Sequence, residues 1–164
     1  MTTKVIIAAV VGVPLLGFAY YALSPLFNTI QANDALPQQK IVSALKAPAQ
    51  PQQAPATSPA VLDSPAAQVL GTTGHPASGT ARIVTDGSTH FVRYENFKTI
   101  NGPDIYVYLA KDMDAKVFVS LGKVKATEGN INYEIPTNID PKEYKYVLTW
   151  CKTFGVLFNY AIIN

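Results

Sequence analysis

Hydrophobic and polar residues divide the chain into three zones with different patterns. Residues 5–27 are almost entirely apolar and carry no charged side chain. Residues 31–70 are rich in Pro, Gln and Ala and contain few large apolar side chains. From Gly71 onward, apolar and polar residues alternate over short runs separated by Gly, Pro, Asn and Asp. This pattern predicts a transmembrane anchor at residues 1–30, a disordered linker at 31–70 and one folded domain at 71–164.

Alternation with a period of two predicts that the folded domain is all-β. Ile105, Val107 and Leu109 fall on one side of a strand, because successive side chains of a strand point to opposite faces. Short, evenly spaced strands with turn residues between them are typical of a single β-sandwich, or of a partly closed barrel. Only residues 140–144 suggest a helical turn. The predicted strands are residues 80–84, 91–97, 105–110, 117–121, 131–135, 146–151 and 156–163.

The last two predicted strands form a hairpin that carries the only Trp and the only Cys of the chain. Trp150 and Cys151 are adjacent, so they point to opposite faces of the strand. The second strand, 156–163, is apolar on both sides of its alternation, and we expect both of its faces to be buried.

The apolar amino-terminal zone predicts the location of the protein. As a helix, residues 5–27 would be roughly 34 Å long, enough to cross a hydrocarbon core of about 30 Å. Lys4 and the terminal amine favour a cytoplasmic amino terminus, which makes the chain a single-pass membrane protein with an extracytoplasmic domain. A cleaved signal peptide is the alternative, although Tyr20 is poorly placed for cleavage after Ala22. The Pro-rich linker would hold the domain away from the membrane as a stalk.

Charge and composition exclude several classes of function. The net charge is +2 without a basic stripe, so we expect no nucleic-acid partner. One Cys cannot form an intramolecular disulfide, and with two His it cannot complete a four-ligand zinc site. Hydrolase and phosphate-binding motifs are lacking. Whether the chain is an enzyme stays open, and the sequence favours a non-enzymatic role.

The folded domain resembles the DM13 family, from Gly74 to Ile163. The resemblance rests on several separated motifs that occur in the family's order. They are residues 75–80 (HPASGT), 95–97 (ENF), 101–109 (NGPDIYVYL), 121–123 (LGK), 129–136 (GNINYEIP) and 150–154 (WCKTF), followed by Phe158. The resemblance implies an extracytoplasmic all-β module with a role in electron transfer and a signature cysteine, which Cys151 matches. The chain departs from the family after Phe158, where it has Asn159-Tyr160 and the family commonly has a glycine.

Cys151 has four interpretations that the sequence leaves open. It can be a buried structural residue, a metal or haem ligand, an exchanging thiol, or one half of an intermolecular disulfide. His75 is the best candidate for a partner of Cys151 in cofactor binding, because imidazole and thiolate together suit copper or haem iron. The cofactor itself is unknown, and the Cys-His-Met spacing of blue-copper proteins is missing.

Two functional hypotheses follow from these observations. The first is a redox or electron-transfer accessory module that uses Cys151, with His75 as a possible helper and a redox protein of the envelope as its partner. The second is an adhesion or assembly module that binds envelope proteins or glycans through exposed aromatic residues such as Tyr106, Tyr108 or Tyr146.

Overall fold

The computed structural model describes residues 16–21, 23–24, 28–37 and 64–164. Residues 16–21 are helical, and most of the remainder is strand, turn or loop. Within these ranges, no helix has both the length and the hydropathy that a membrane crossing requires. Most of the predicted anchor and the central part of the predicted linker lie outside the described residues.

The domain is a sandwich of two five-stranded sheets. Sheet 1 has the strand order β1-β8-β5-β4-β2, and sheet 2 has the order β3-β10-β9-β6-β7. All pairs are antiparallel except β1 with β8. The all-β, sandwich-like prediction is therefore confirmed. The strands are β1 (Gln31–Asn33), β2 (Ala67–Gln68), β3 (Leu70–Gly71), β4 (Ala77–Asp86), β5 (Thr89–Thr99), β6 (Ile105–Ala110), β7 (Phe118–Lys123), β8 (Glu128–Ile135), β9 (Tyr146–Cys151) and β10 (Val156–Ile162).

The core lies between the two sheets and is built from the inward side chains of both. Val92, Tyr94 and Ile131 come from sheet 1, and Leu109 and Val147 come from sheet 2; all are at most 1% exposed. Apolar area removed from water stabilises a fold by about 25 cal/mol per Å², so this interface is the main favourable contribution to folding. Inward and outward positions on β6 follow the predicted alternation.

The predicted strands 105–110 and 146–151 match β6 and β9 at both ends. Strands β4, β5 and β8 are longer than predicted, because bulges let pairing continue past irregular points. Gly79 lies at one such point with a φ of 102°, where an added Cβ would approach the carbonyl oxygen of Asn96 to 2.6 Å. The predicted helical turn is a 3₁₀ turn, Pro141–Glu143, with Asp140 as its N-cap.

Strand β10 differs from the expectation that both of its faces are buried. The register shifts between Leu157 and Asn159, so Phe158 and Asn159 are both buried although they are neighbours. Ile162, by contrast, is 48% exposed on the outward side. The bulge breaks the two-residue period, and a simple alternation pattern therefore assigns the wrong environment to this strand.

Residues 28–37 form an edge segment that pairs with β8, although residues 31–37 belong to the stretch predicted as disordered linker. The carbonyl oxygen of Ile30 accepts hydrogen bonds from the backbone N–H groups of Thr127 (2.8 Å) and Glu128 (3.0 Å). Arg93 donates to the carbonyl oxygen of Asp34 at 2.7 Å. An added Cβ on Gly129 would collide with the carbonyl oxygen of Ala32. The sequence pattern misses this segment because its partners are about one hundred positions away.

Candidate functional site

Cys151 is the last residue of β9, and its side chain points into the sandwich. Its cross-strand partners are Ile105 on β6 and Val156 on β10. The side chain is 0% exposed and packs in a small apolar cluster with Ile105 and Phe158. Trp150 lies on the other side of β9, so the prediction that the two residues face opposite ways is confirmed.

Two covering loops enclose this cluster: residues 101–104, before β6, and residues 152–155, between β9 and β10. The backbone N–H of Lys152 donates to the carbonyl oxygen of Asp104 at 2.9 Å, and the hydroxyl of Thr153 donates to the Asp104 carboxylate at 3.0 Å. Asp104 therefore fastens one covering loop to the other. Lys152 and Thr153 are exposed, so the buried sulfur belongs to a residue directly next to the surface of the domain.

Gly102 makes the first covering loop fit closely over the site. An ideal Cβ at this position would lie 2.9 Å from Ile105 Cγ2 and 2.9 Å from Phe158 Cζ. These two residues are the ones that pack against Cys151. The backbone N–H of Gly102 donates to Asn101 Oδ1 at 2.9 Å, which holds the turn in shape.

His75 stacks on Phe158, with ring centroids 4.0 Å apart and an interplanar angle of 27°. Phe158 also packs against Cys151, so the structure brings the two predicted site residues to the same aromatic ring. The roles of Cys151 and His75 stay predictions, because placement alone does not test them. Phe158, Gly102 and Thr72 are the residues of this region that sequence reasoning did not assign to the site. Phe158 and Gly102 belong to the quoted motifs, whereas no sequence signal marks Thr72.

The hydrogen bonds of the Thr72 hydroxyl favour one tautomer of His75. The Thr72 hydroxyl has one hydrogen, which it donates to the carbonyl oxygen of Leu157 (2.7 Å) or Phe158 (3.0 Å). Towards His75 Nδ1, at 3.2 Å, the hydroxyl oxygen therefore acts as the acceptor. The neutral imidazole then carries its hydrogen on Nδ1 and its lone pair on Nε2.

Two buried polar residues, Asn159 on β10 and Thr99 at the end of β5, meet in the core. Asn159 is 0% exposed, and its Nδ2 donates to the Thr99 hydroxyl at 2.9 Å. Its cross-strand neighbour Thr149 is also fully buried, and burial raises the pKa of the nearby Tyr94 hydroxyl. The Nδ2 group of Asn159 is thus satisfied inside the sandwich, whereas its buried Oδ1 has no hydrogen-bond partner among the described residues.

The second histidine and the methionine of the folded domain lie elsewhere. His90 is at the start of β5 and pairs with Ile135, and its Nδ1 lies 3.0 Å from the Thr85 hydroxyl. It lines a cleft of about 690 Å³ with Asp140, Lys142 and Asn164, near the end of the sandwich opposite to Cys151. Met113 lies in the turn between β6 and β7. Neither residue belongs to the apolar cluster around Cys151.

Copper and haem iron do not fit these residues as they are arranged. Within the described ranges, no group of three or more His, Cys, Asp or Glu side chains is placed to hold a metal ion. The sulfur of Cys151 is packed among apolar side chains, and the ring of Phe158 occupies the position next to His75. A copper site needs several converging donor atoms and haem iron needs a protein ligand that can reach it, whereas Cys151 is fully buried among apolar side chains.

Comparison with known proteins identifies the family of the folded domain. No curated protein and no solved structure shows significant similarity to the chain. The family model described as "Electron transfer DM13" matches residues 69–163, which is more than half of the chain and nearly all of the sandwich. The chain therefore belongs to the DM13 family, described as an electron-transfer family, as the motifs between Gly74 and Ile163 indicate.

Proposed function

We propose that the domain is a thiol-based electron-transfer module whose redox group is Cys151. The observation that carries the proposal is the position of this single cysteine, which is buried beneath two short covering loops at one end of the sandwich. The family supports a role in electron transfer. The donor set disfavours a metal centre, which leaves the sulfur as the group that exchanges electrons.

A single cysteine can transfer electrons by thiol–disulfide exchange with a partner molecule. When the covering loops open, the Cys151 thiolate attacks one sulfur of a disulfide in a partner molecule. An S–S bond forms between Cys151 and that sulfur, the partner's S–S bond breaks, and the second partner sulfur leaves as a thiolate that takes up a proton. The dithiol of a second, reduced partner then resolves the mixed disulfide. Its first thiol forms an S–S bond with Cys151 and releases the first partner's remaining sulfur as a thiol; its second thiol displaces Cys151, so the second partner leaves oxidised to a disulfide and the first leaves reduced. With one Cys in the chain, an internal disulfide is excluded, so each cycle requires a partner.

Burial protects the Cys151 thiol from oxidation while no partner molecule is bound. Oxidation follows thiolate character and exposure, and Cys151 is 0% exposed while the covering loops are closed. Asp104 holds the loops together through one backbone and one side-chain hydrogen bond. A partner that competes for these bonds would expose the sulfur only at the point of contact. We further propose that the amino-terminal zone anchors the domain on the extracytoplasmic side of a membrane, as Lys4 and the apolar run favour.

The test is mixed-disulfide formation under native conditions. The full chain in detergent is incubated with glutathione disulfide, and the glutathione adduct at Cys151 is measured by mass spectrometry over time. We expect adduct formation without loss of the circular dichroism signal of the sheets, and severalfold faster formation in Thr153→Ala. Thr85→Ala, which removes a comparable hydroxyl contact far from the cysteine, is the matched control and leaves the rate unchanged.

Two outcomes would contradict the proposal. If Cys151 reacts only at the rate of global unfolding, and Thr153→Ala has no more effect than Thr85→Ala, the thiol is a structural core residue. If natively purified protein carries stoichiometric metal or haem with an absorption band that Cys151→Ser abolishes, thiol exchange is the wrong chemistry.

A further inference from the structure

The outward side of sheet 2, here called the outer face, is rich in aromatic residues. Tyr106, Trp150 and Leu157 form one row across β6, β9 and β10, and Tyr108, Leu148 and Tyr160 form the next row. These side chains form an apolar cluster separate from the core. This outer cluster shows that sheet 2 has apolar side chains on both of its sides, although only the inward side faces sheet 1.

The outer face leaves large apolar side chains in contact with solvent. Leu70, Phe118 and Ile162 at its margin are 46%, 41% and 48% exposed. Tyr106, Trp150 and Tyr160 are half-buried, and they cover Leu148, which is 0% exposed. Tyr108 is only 4% exposed and stacks on Phe118 at 4.1 Å, so it supports the surface and is not itself the exposed aromatic contact that the sequence suggested. A contiguous exposed apolar surface of this kind marks an interaction site.

Three lysines border the outer face, together with Asp104 and the turn that carries Asp112 and Asp114. Lys123 and Lys152 hold their ammonium groups 5.8 and 5.6 Å from the ring centroid of Tyr106, and Lys145 lies 5.4 Å from that of Tyr146. None of the strands β6, β7, β9 and β10 contains an Asp or Glu. Asp104 lies 3.5 Å from Lys123, but in the part of the chain that the structure describes no carboxylate lies within ion-pair distance of Lys145 or Lys152. The partner of this face is therefore expected to be anionic.

The mixture of side chains favours a lipid surface over a glycan. Exposed aliphatic residues such as Leu70 and Ile162 gain nothing from a sugar ring, whereas they are stabilised at the acyl boundary of a bilayer. Tyr and Trp have an apolar body and a polar tip, which suits the headgroup region, and lysines next to them suit lipid phosphates.

A contact with the amino-terminal zone points to the same occupant. Phe18, in the helical residues 16–21, packs edge-to-face on Phe154 with ring centroids 6.3 Å apart. Phe154 lies in the turn between β9 and β10, two of the strands of the outer face. The apolar zone of the chain therefore meets the domain at the margin of this face.

We propose that the outer face docks on a membrane surface that contains anionic phospholipid. Trp150 and the neighbouring tyrosines lie at the level of the headgroups, and Lys123, Lys145 and Lys152 lie next to the lipid phosphates. The docking does not depend on the chemistry of Cys151, whose side chain points to the other side of β9.

Trp150 reports directly on this docking because it is the only Trp of the chain. The full chain is reconstituted into vesicles of phosphatidylcholine alone, or of phosphatidylcholine with phosphatidylglycerol, and quenching of Trp150 by brominated acyl chains is measured. We expect a blue-shifted emission and strong quenching only in the anionic vesicles, with reversal by high salt. Because each lysine near an anionic surface contributes roughly a fivefold factor, Lys145→Gln and Lys152→Gln should each lower the docking constant about fivefold.

Matched variants separate docking from misfolding. Lys98→Gln removes a lysine on sheet 1 and should leave quenching unchanged, whereas Leu70→Ser with Ile162→Ser, both at exposed positions, should weaken it. Cys151→Ser should have no effect. Equal quenching in neutral vesicles, no quenching in either, or a shift that depends on protein concentration without lipid would each overturn the proposal, the last by identifying a second copy of the chain as the occupant.

Discussion

The most direct test of whether the covering loops keep Cys151 buried is the substitution Gly102→Ala. The backbone φ of Gly102 lies outside the left-handed region, so alanine can adopt the conformation and the effect is steric. The added methyl group would lie 2.9 Å from both Ile105 Cγ2 and Phe158 Cζ, and 3.0 Å from Phe158 Cε2. Phe158 cannot retreat freely, because it packs against Cys151 and stacks on His75. The first covering loop must therefore move outward.

The expected magnitude follows from overpacking. Inserting a methyl group into a close-packed region costs about 1–3 kcal/mol. If the closed position of the loop loses this amount relative to the open one, the fraction of molecules with an exposed sulfur rises by a factor of about 5–150, since 1.4 kcal/mol is tenfold. The measurement is the rate at which an aromatic disulfide reagent labels Cys151 under native conditions, together with urea denaturation for the free energy of unfolding.

Gly87→Ala is the matched control. Gly87 has a φ of 59° in the β4–β5 turn and no atom within 4 Å of an added Cβ, so alanine there costs about 1–2 kcal/mol of backbone strain without touching the site. We expect this variant to lose stability while its thiol labelling stays close to that of the parent chain. If both variants accelerate labelling in proportion to their loss of stability, the sulfur is reached by global unfolding and the reasoning about the covering loops is refuted.

Three further predictions concern the fold. Leu109→Ala, at a fully buried position, should lower the free energy of unfolding in urea by about 2–5 kcal/mol, whereas Val117→Ala, at a position 51% exposed, should change it by less than about 0.5 kcal/mol; similar losses would place the core elsewhere. Asp140→Ala should cost about 1 kcal/mol in the same assay, because its side chain caps the 3₁₀ turn by accepting from the Lys142 N–H at 3.0 Å, and an unchanged midpoint would show that the cap is dispensable. Burial raises the pKa of Tyr133 from 10.0 to about 12. The neutral phenol therefore stabilises the folded state below pH 10, and this stabilisation is lost as the pH rises from 10 towards 12. Tyr133→Phe should flatten the alkaline decline of the thermal denaturation temperature, and an equally steep decline would contradict the assignment.

The sequence alone determined the class of the fold and the family. Alternation at β6 and β9 predicted both strands with their observed ends, because a period of two is a local property that each strand carries in its own residues. Several short motifs, spread in the family's order from Gly74 to Ile163, indicated the DM13 family from the sequence alone. The opposite orientation of Trp150 and Cys151 also followed from adjacency on one strand.

Only the tertiary structure decided what surrounds these residues. Ile30 and Thr127 are 97 positions apart, and Thr72 reaches Leu157 across 85 positions, so no local pattern predicts either contact. The bulge at Leu157 and Asn159 turns Phe158 inward between Cys151 and the stacked ring of His75, and it leaves Ile162 exposed. Local pattern sets which residues can share a face, whereas strand register and bulges set which faces meet, because these depend on packing between distant segments.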